Sequence, residues 1–240
     1  MDKMLPIGVY DSGVGGLTVV KRLQEKLPKE QITYFGDTAR LPYGGRSKDE
    51  IIRFSRQIIA FFAGQGVKLV IAACNTSSAL ALPVLKSTVP IPVMGVIGPG
   101  AKYASSGEPG HRIGVMATEG TVASHAYESA LRKLNPYARI WEIACPRLVP
   151  LVESGQWDGA EVESALREYL APLQEVKIET LILQKVRVID RGAFSKVESL
   201  KTVEIYPGLE TIKGHAFTGA TGLKNIILPE GLIEIESYAF

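Results

Sequence analysis

Ile71-Ala72-Ala73-Cys74-Asn75-Thr76-Ser77-Ser78 changes character halfway along its length. Before it, Lys68-Leu69-Val70-Ile71 is a short apolar run rich in β-branched residues and is predicted to be a buried strand. After it, Ser77 to Leu85 is rich in Ala and Leu and is predicted to be a helix. A thiol, an amide and a hydroxyl therefore gather where a strand hands over to a helix. Open α/β sheets place their ligands at such strand ends, beside helix N-terminal N–H groups that attract anions. That environment also lowers a thiol pKa from about 8.5 towards neutrality, and the thiolate is the reactive form. Taken alone, Cys74 reads first as a small buried thiol closing a strand; the residues around it turn the reading towards chemistry.

Outward from this point the same unit repeats. Ile7-Gly8-Val9-Tyr10 reads as a strand ending in Asp11-Ser12-Gly13-Val14-Gly15-Gly16, followed by a helix over 17–27. Ile32-Thr33-Tyr34-Phe35 is a second strand, and Ser47 caps a helix to about Ala63. Pro92 to Val96 is the fourth strand, and Gly98-Pro99-Gly100 reads as a hinge. The cycle restarts with strands over 112–116, 140–144 and 180–183 and helices over 120–134 and 158–170. Repeated β-α units imply a mostly parallel sheet in two lobes, 1–97 and 98–183.

After Leu183 the pattern changes. Ile189, Ile212 and Ile235 are 23 residues apart, and Ala193-Phe194, Ala216-Phe217 and Ala239-Phe240 keep the same offset. Leu200 matches Leu223, Val203 matches Ile226, and Gly208-Leu209 matches Gly231-Leu232. This period lies in the leucine-rich-repeat range, so 184–240 is predicted to be a short solenoid whose coils bury apolar rungs against neighbours.

Composition narrows the function. The 240 residues carry 46% hydrophobic side chains and a formal net charge of +2, with no basic stripe to suggest nucleic acid. Cys74 and Cys145 make no disulfide framework, and His111, His125 and His215 show no metal-ligand spacing, so no metal is expected. The histidines are expected at the surface or as caps. No signal core or membrane-length run occurs, which makes a cytoplasmic location the expectation.

Asp11 to Gly16 fails both the dinucleotide and the phosphate-loop fingerprints, since position 18 is Thr and no Gly-Lys-Ser/Thr follows. Either Asp11 or Ser12 caps the following helix, or Asp11 faces Cys74 across adjacent strand ends and takes part in proton transfer. Pro42-Tyr43-Gly44 is a turn by composition. Thr118 and Thr121 frame a helix start, where capping and ligand contact are both open. Cys145 reads as a buried structural thiol, and Glu153 by itself as a solvated carboxylate.

Together, Val9 to Thr18, Gly36-Asp37-Thr38-Ala39-Arg40-Leu41-Pro42-Tyr43-Gly44, Ala73-Cys74-Asn75-Thr76 and Cys145 to Glu153 resemble glutamate racemase over residues 5–183. The resemblance implies a two-lobed α/β fold and interconversion of L- and D-glutamate without a cofactor, D-glutamate feeding peptidoglycan synthesis. It implies Cys74 as one acid/base thiol with Asp11 as its helper. Asp11, Ser12, Pro42, Tyr43, Gly44, Asn75 and Thr76 would hold the substrate, with Thr118 and Thr121 contributing from the second lobe. Glu153 would support the second cysteine. Where the family continues Gly-Cys-Thr-His-Tyr-Pro, this chain reads Gln184-Lys185-Val186-Arg187-Val188-Ile189, so the second thiol is missing and activity is expected to be impaired or lost. The tail resembles repeats of the Ile-x-x-x-Ala-Phe type. It is expected to pack on the α/β part or on a second chain, and to serve as a protein-interaction or homo-oligomer module. The alternative reading is a non-catalytic glutamate- or partner-binding protein.

Overall fold

The structure is a computed structural model and describes residues 5–105, 110–156, 159–183, 188–205, 209–229 and 231–240. Its first sheet holds β1 (Ile7–Asp11), β2 (Ile32–Gly36), β3 (Leu69–Ala72) and β4 (Val93–Gly95), all parallel, in the order β2-β1-β3-β4. The chain leaves β1 to one side for β2 and returns to the other side for β3. The carboxyl ends of β1 and β3 therefore frame a switch point, the place where such sheets open a crevice.

Local chemistry sets the helices between the strands. α1 is Leu17–Lys26 and α2 is Lys48–Gly64. Ser47 starts α2 as expected: its hydroxyl accepts from Glu50 N at 3.3 Å, and Glu50 Oε2 accepts from Ser47 N at 3.0 Å. Ile51, Phe54, Ile58, Ile59 and Phe62 form the buried stripe of α2 at helical spacing. The helix predicted over 77–85 starts two residues earlier and is broken, as α3 (Asn75–Leu80) and α4 (Leu82–Leu85). Pro83 has no N–H to continue the α3 ladder, so a new turn begins there. The expected hinge at 98–100 is a correction: those residues form the first turn of α5 (Ile97–Ala104). Pro99 fits there because its missing N–H falls among the helix's unpaired donors.

The second sheet contains β5 (Arg112–Ala117), β6 (Arg139–Ala144) and β7 (Thr180–Leu183), with β5 between the other two. It repeats the switch-point arrangement at the carboxyl ends of β5 and β7. The helix predicted over 120–134 is likewise two pieces, α6 (Glu119–Ala123) and α7 (Ala126–Leu134), separated by Ser124 and a left-handed His125 at φ 50°. α8 (Leu148–Glu153) was not predicted, and α9 (Ala160–Glu175) fills most of the helix predicted from Asp158, itself outside the described residues.

The second sheet does not stop at β7. β9 (Thr202–Ile205) pairs parallel with β7, and β11 (Asn225–Ile227) with β9, giving the order β11-β9-β7-β5-β6. Leu181, Val203 and Ile226 stand in one row. A separate parallel sheet holds β8 (Val188–Ile189), β10 (Thr211–Ile212) and β12 (Glu234–Ile235), with Ile189, Ile212 and Ile235 in register. Phe194, Phe217 and Phe240 stack with ring centroids 5.0 and 5.2 Å apart. The period of 23 is thus the coil length of a solenoid. Its Gly208 and the residues 184–187 at the junction lie outside the described residues.

This answers how so few coils bury their rungs. One hydrophobic core runs from Met116, Leu173 and Leu181 of the α/β part through Leu200, Val203, Ile212 and Phe217 of the repeats. β7 serves both as the last strand of the α/β part and as the first rung, which covers a sheet edge that would otherwise be open to pairing. The expectation that the tail packs on the α/β part holds. A polar clasp closes the amino ends of these strands: Glu179 bonds Lys201, while Lys201 N and Thr202 N each donate to Glu179 O at 2.8 Å. His111 is buried here, with Nε2 2.6 Å from Thr180 Oγ1, so its assignment to the surface or to a cap is corrected.

Candidate active site

β1 and β3 deliver the first groups. Their register places Ala73 N on Tyr10 O at 2.8 Å, so the loops after both strands leave the sheet together. Cys74 is the N-cap residue of α3; its sulfur accepts from Ser77 N at 3.5 Å and lies 3.8 Å from Ser12 Oγ, its contact at the end of β1. Asp11, next to Ser12, accepts from Gly16 N at 2.9 Å through Oδ2, close to the capping role considered for it. Gly16 is required at that place, since a Cβ there would stand 2.7 Å from Asp11 Cβ. Cys74, Asp11 and Ser12 are each at most 2% exposed.

β2 delivers the next block. Asp37 receives the Tyr43 hydroxyl and an ion pair from Arg40 Nε at 2.7 Å, which folds the 37–43 loop over the strand ends. Tyr43 is buried, Pro42 is exposed, and the Leu41-Pro42 bond is cis. Burial, followed by the hydrogen bond to Asp37, pushes the Tyr43 phenol well above its ordinary range. Tyr43 is thus a fixed neutral donor.

The second half of the chain meets each of these blocks. Thr118 Oγ1, at the end of β5, lies 3.1 Å from Thr76 Oγ1 and 3.0 Å from Thr121 Oγ1. Thr118 is the N-cap residue of α6, but its hydroxyl makes no cap bond, so of the two roles open for it the hydroxyl ladder is the one observed. Tyr127 of α7 donates to Asn75 Oδ1 at 3.0 Å. Gly44 faces Thr118 so closely that a Cβ would stand 3.0 Å from Thr118 Cγ2. Glu153, at the end of α8, reaches Gly13: a Cβ there would be 3.2 Å from Glu153 Oε1.

Apart from the exposed Pro42, the residues that the resemblance assigns to the site therefore lie about the two switch points. Cys145 stands apart: buried, 3.4 Å from Ile143 O, with burial pushing its thiol up to about 12. Sequence reading missed three contributors. Tyr34 donates to Gly13 O at 2.7 Å, and burial raises its phenol. Asp37 was quoted within a motif but given no role, and Tyr127 sits on a helix with no motif to mark it.

Two parallel sheets with opposed switch points, one carrying a thiol and the other a hydroxyl ladder, define a two-sheet α/β protein whose strand ends meet. Residues 8–183 match the model of the Asp/Glu/Hydantoin racemase family. The chain belongs to that family, and residues 171–240 match the BspA type leucine-rich repeat region, in 6 copies. The repeat match begins inside α9 and takes in β7, the strand shared by both parts.

A glutamate racemase of Gloeobacter violaceus is 53% identical over 176 residues, which is 73% of this chain and 66% of that protein. One from a Picosynechococcus species is 49% identical over 177 residues, 74% of this chain and 63% of its own length. The chain thus spans just under two thirds of the length of these relatives. The structure of glutamate racemase from Francisella tularensis, in complex with D-glutamate, superposes with a TM-score of 0.70 at 41% identity. It covers 75% of this chain and 68% of that one. An isoform from Bacillus anthracis gives 0.71 at 43% identity, with the same coverage. Among the described residues, no helix is long and apolar enough to cross a membrane.

Proposed function

We propose that the site binds glutamate and that Cys74 exchanges its α-proton, as half of a cofactor-independent glutamate racemisation. The observation that carries this reading is the convergence of Cys74 and Ser12 with Thr76, Thr118 and Thr121 from opposite sheets. The hydroxyls and the Asn75 amide suit a carboxylate and an ammonium group, and Asp11 supplies the negative charge the ammonium requires. In the step proposed, the thiolate sulfur takes the α-proton and the C–H electron pair passes to the carbon, delocalised into the adjacent carboxyl. The same thiol then returns a proton to the same face.

Inversion needs a second acid on the opposite face, within hydrogen-bond reach of the carbon. The family supplies it from a cysteine after the strand matching β7, where this chain reads Gln184-Lys185-Val186-Arg187. One positioned acid or base is worth roughly 10²–10⁴ in rate, so net racemisation is impaired or lost while one-face exchange survives. Glu153 reaches over Gly13, and by the resemblance it is the residue that would support the second thiol. The missing thiol also supports a second reading, a glutamate-binding protein without turnover. The division at 97/98 and 183/184, a peptidoglycan role, a cytoplasmic location and partner binding or self-association through the repeats belong to the same proposal.

The test is proton NMR of D- and L-glutamate in deuterated water with the full chain and with Cys74→Ala. One enantiomer losing its α-proton signal, with no loss in the variant, is the expected result. A folded protein whose melting midpoint rises with D-glutamate but which exchanges neither enantiomer refutes catalysis and leaves the binding reading. No midpoint shift and no exchange refutes both.

A further inference from the structure

His125, Glu128 and Glu142 come together on the second lobe, away from the thiol. His125 joins α6 to α7, Glu128 lies in the first turn of α7, and Glu142 is in the middle of β6. His125 Nδ1 is 3.0 Å from Glu142 Oε2 and 3.3 Å from Glu128 Oε2, and one ligand atom from each residue fits within 4.8 Å of the others. We propose that this triad is a divalent-metal site of the zinc type, which ties the α6–α7 corner to β6.

The distances suit the ion. In a tetrahedral site with N and O ligands at about 2.0–2.1 Å, neighbouring ligand atoms lie about 3.3 Å apart. One imidazole nitrogen and two carboxylate oxygens are three protein ligands, and the exposed side of His125 leaves water the remaining position. The independent sign is Glu142 itself. Its side chain is 6% exposed, and its Oε1 is buried with no hydrogen-bond partner among the described residues. A carboxylate so placed is costly unless a cation faces it. Arg132 takes the other oxygen of Glu128 at 2.8 Å, which turns Oε2 of Glu128 to the triad. The spacing 125, 128 and 142 gave no signal in the sequence, because β6 is brought to the helix only by packing.

The site bears on the candidate active site without belonging to it. The corner it would hold carries Thr121 on one side of His125 and Tyr127 on the other. The proposal does not rest on the racemase reading.

The test is calorimetric titration of the chelator-stripped full chain with Zn²⁺, beside His125→Asn and Glu142→Gln. Asn tolerates the left-handed backbone at 125 and leaves the exposed corner intact. The expected result is one Zn²⁺ per chain, an affinity about tenfold or more weaker in each variant, and no heat with Mg²⁺. No binding by the wild type, or binding undiminished in His125→Asn, overturns the proposal and leaves the triad an ion pair. Should Glu142→Gln fail to fold, His125→Asn decides alone.

Discussion

Leu200→Ala is the most searching perturbation, because Leu200 belongs to a repeat and yet packs in a core shared with β5 and β7. Its side chain is fully buried, in one cluster with Met116, Leu173, Leu181 and Val203. Truncation removes three carbons from a site bounded by β7, β9 and α9, which cannot collapse without breaking the sheet. Such changes cost about 2–5 kcal/mol. In a chain of this size each kcal/mol moves the melting midpoint by roughly 2–4 °C, so a drop on the order of 10 °C is expected. The more informative expectation concerns cooperativity. The sheet order β11-β9-β7-β5-β6 has no seam, so the repeats and the second lobe unfold as one unit. Scanning calorimetry with hydrogen-exchange mass spectrometry reads both. Peptides from Arg112–Ala117 should lose protection by the same free energy as peptides from Thr202–Ile205. The reasoning is refuted if β9 loses protection while β5 keeps its own, because the repeats would then be a separate unit resting against the lobe.

Two further outcomes follow from single groups. Tyr127→Phe removes the donor to Asn75 Oδ1 and should cost about 0.5–1.5 kcal/mol in urea melts. It should also reduce the midpoint rise produced by D-glutamate; an unchanged rise means Asn75 is positioned by other means. The Cys145 thiol is raised from 9.0 to about 12 by burial, so folding favours its protonated form. Its contribution is fully present below pH 9 and is lost as pH rises towards 12, at most about 4 kcal/mol. Cys145→Ala should therefore flatten the alkaline fall in stability between those limits. An identical fall in the variant assigns it to the buried tyrosines instead.

Much of the site was legible because its blocks are short and lie at strand ends. Asp11-Ser12, Pro42-Tyr43-Gly44 and Cys74-Asn75-Thr76 each follow a strand of one parallel sheet, and such strands end on one edge. Thr118 was legible as a helix start, though its hydroxyl joins Thr76 rather than capping, a choice made by the facing lobe. Tyr34 and Tyr127 carry no local mark: one acts across from a neighbouring strand and the other across the lobes. The two helices expected to be continuous broke at Pro83 and at His125, where a missing donor and a left-handed residue outweighed the apolar periodicity. His111 could not be placed, because burial depends on Thr180 and Glu179 nearly seventy residues away.

Alternation of strand and helix, and a strict recurrence every 23 residues, were properties of the chain alone, since both are set by side-chain periodicity along neighbouring residues. Packing decided that the two patterns meet in one strand. β7 offers one edge to β5 and the other to β9, and backbone pairing does not depend on which pattern supplied the partner. The opposition of Thr118 to Thr76, and of Glu142 to His125, also belongs to packing. Those distances are set by how whole elements stack, and no spacing in the sequence encodes them.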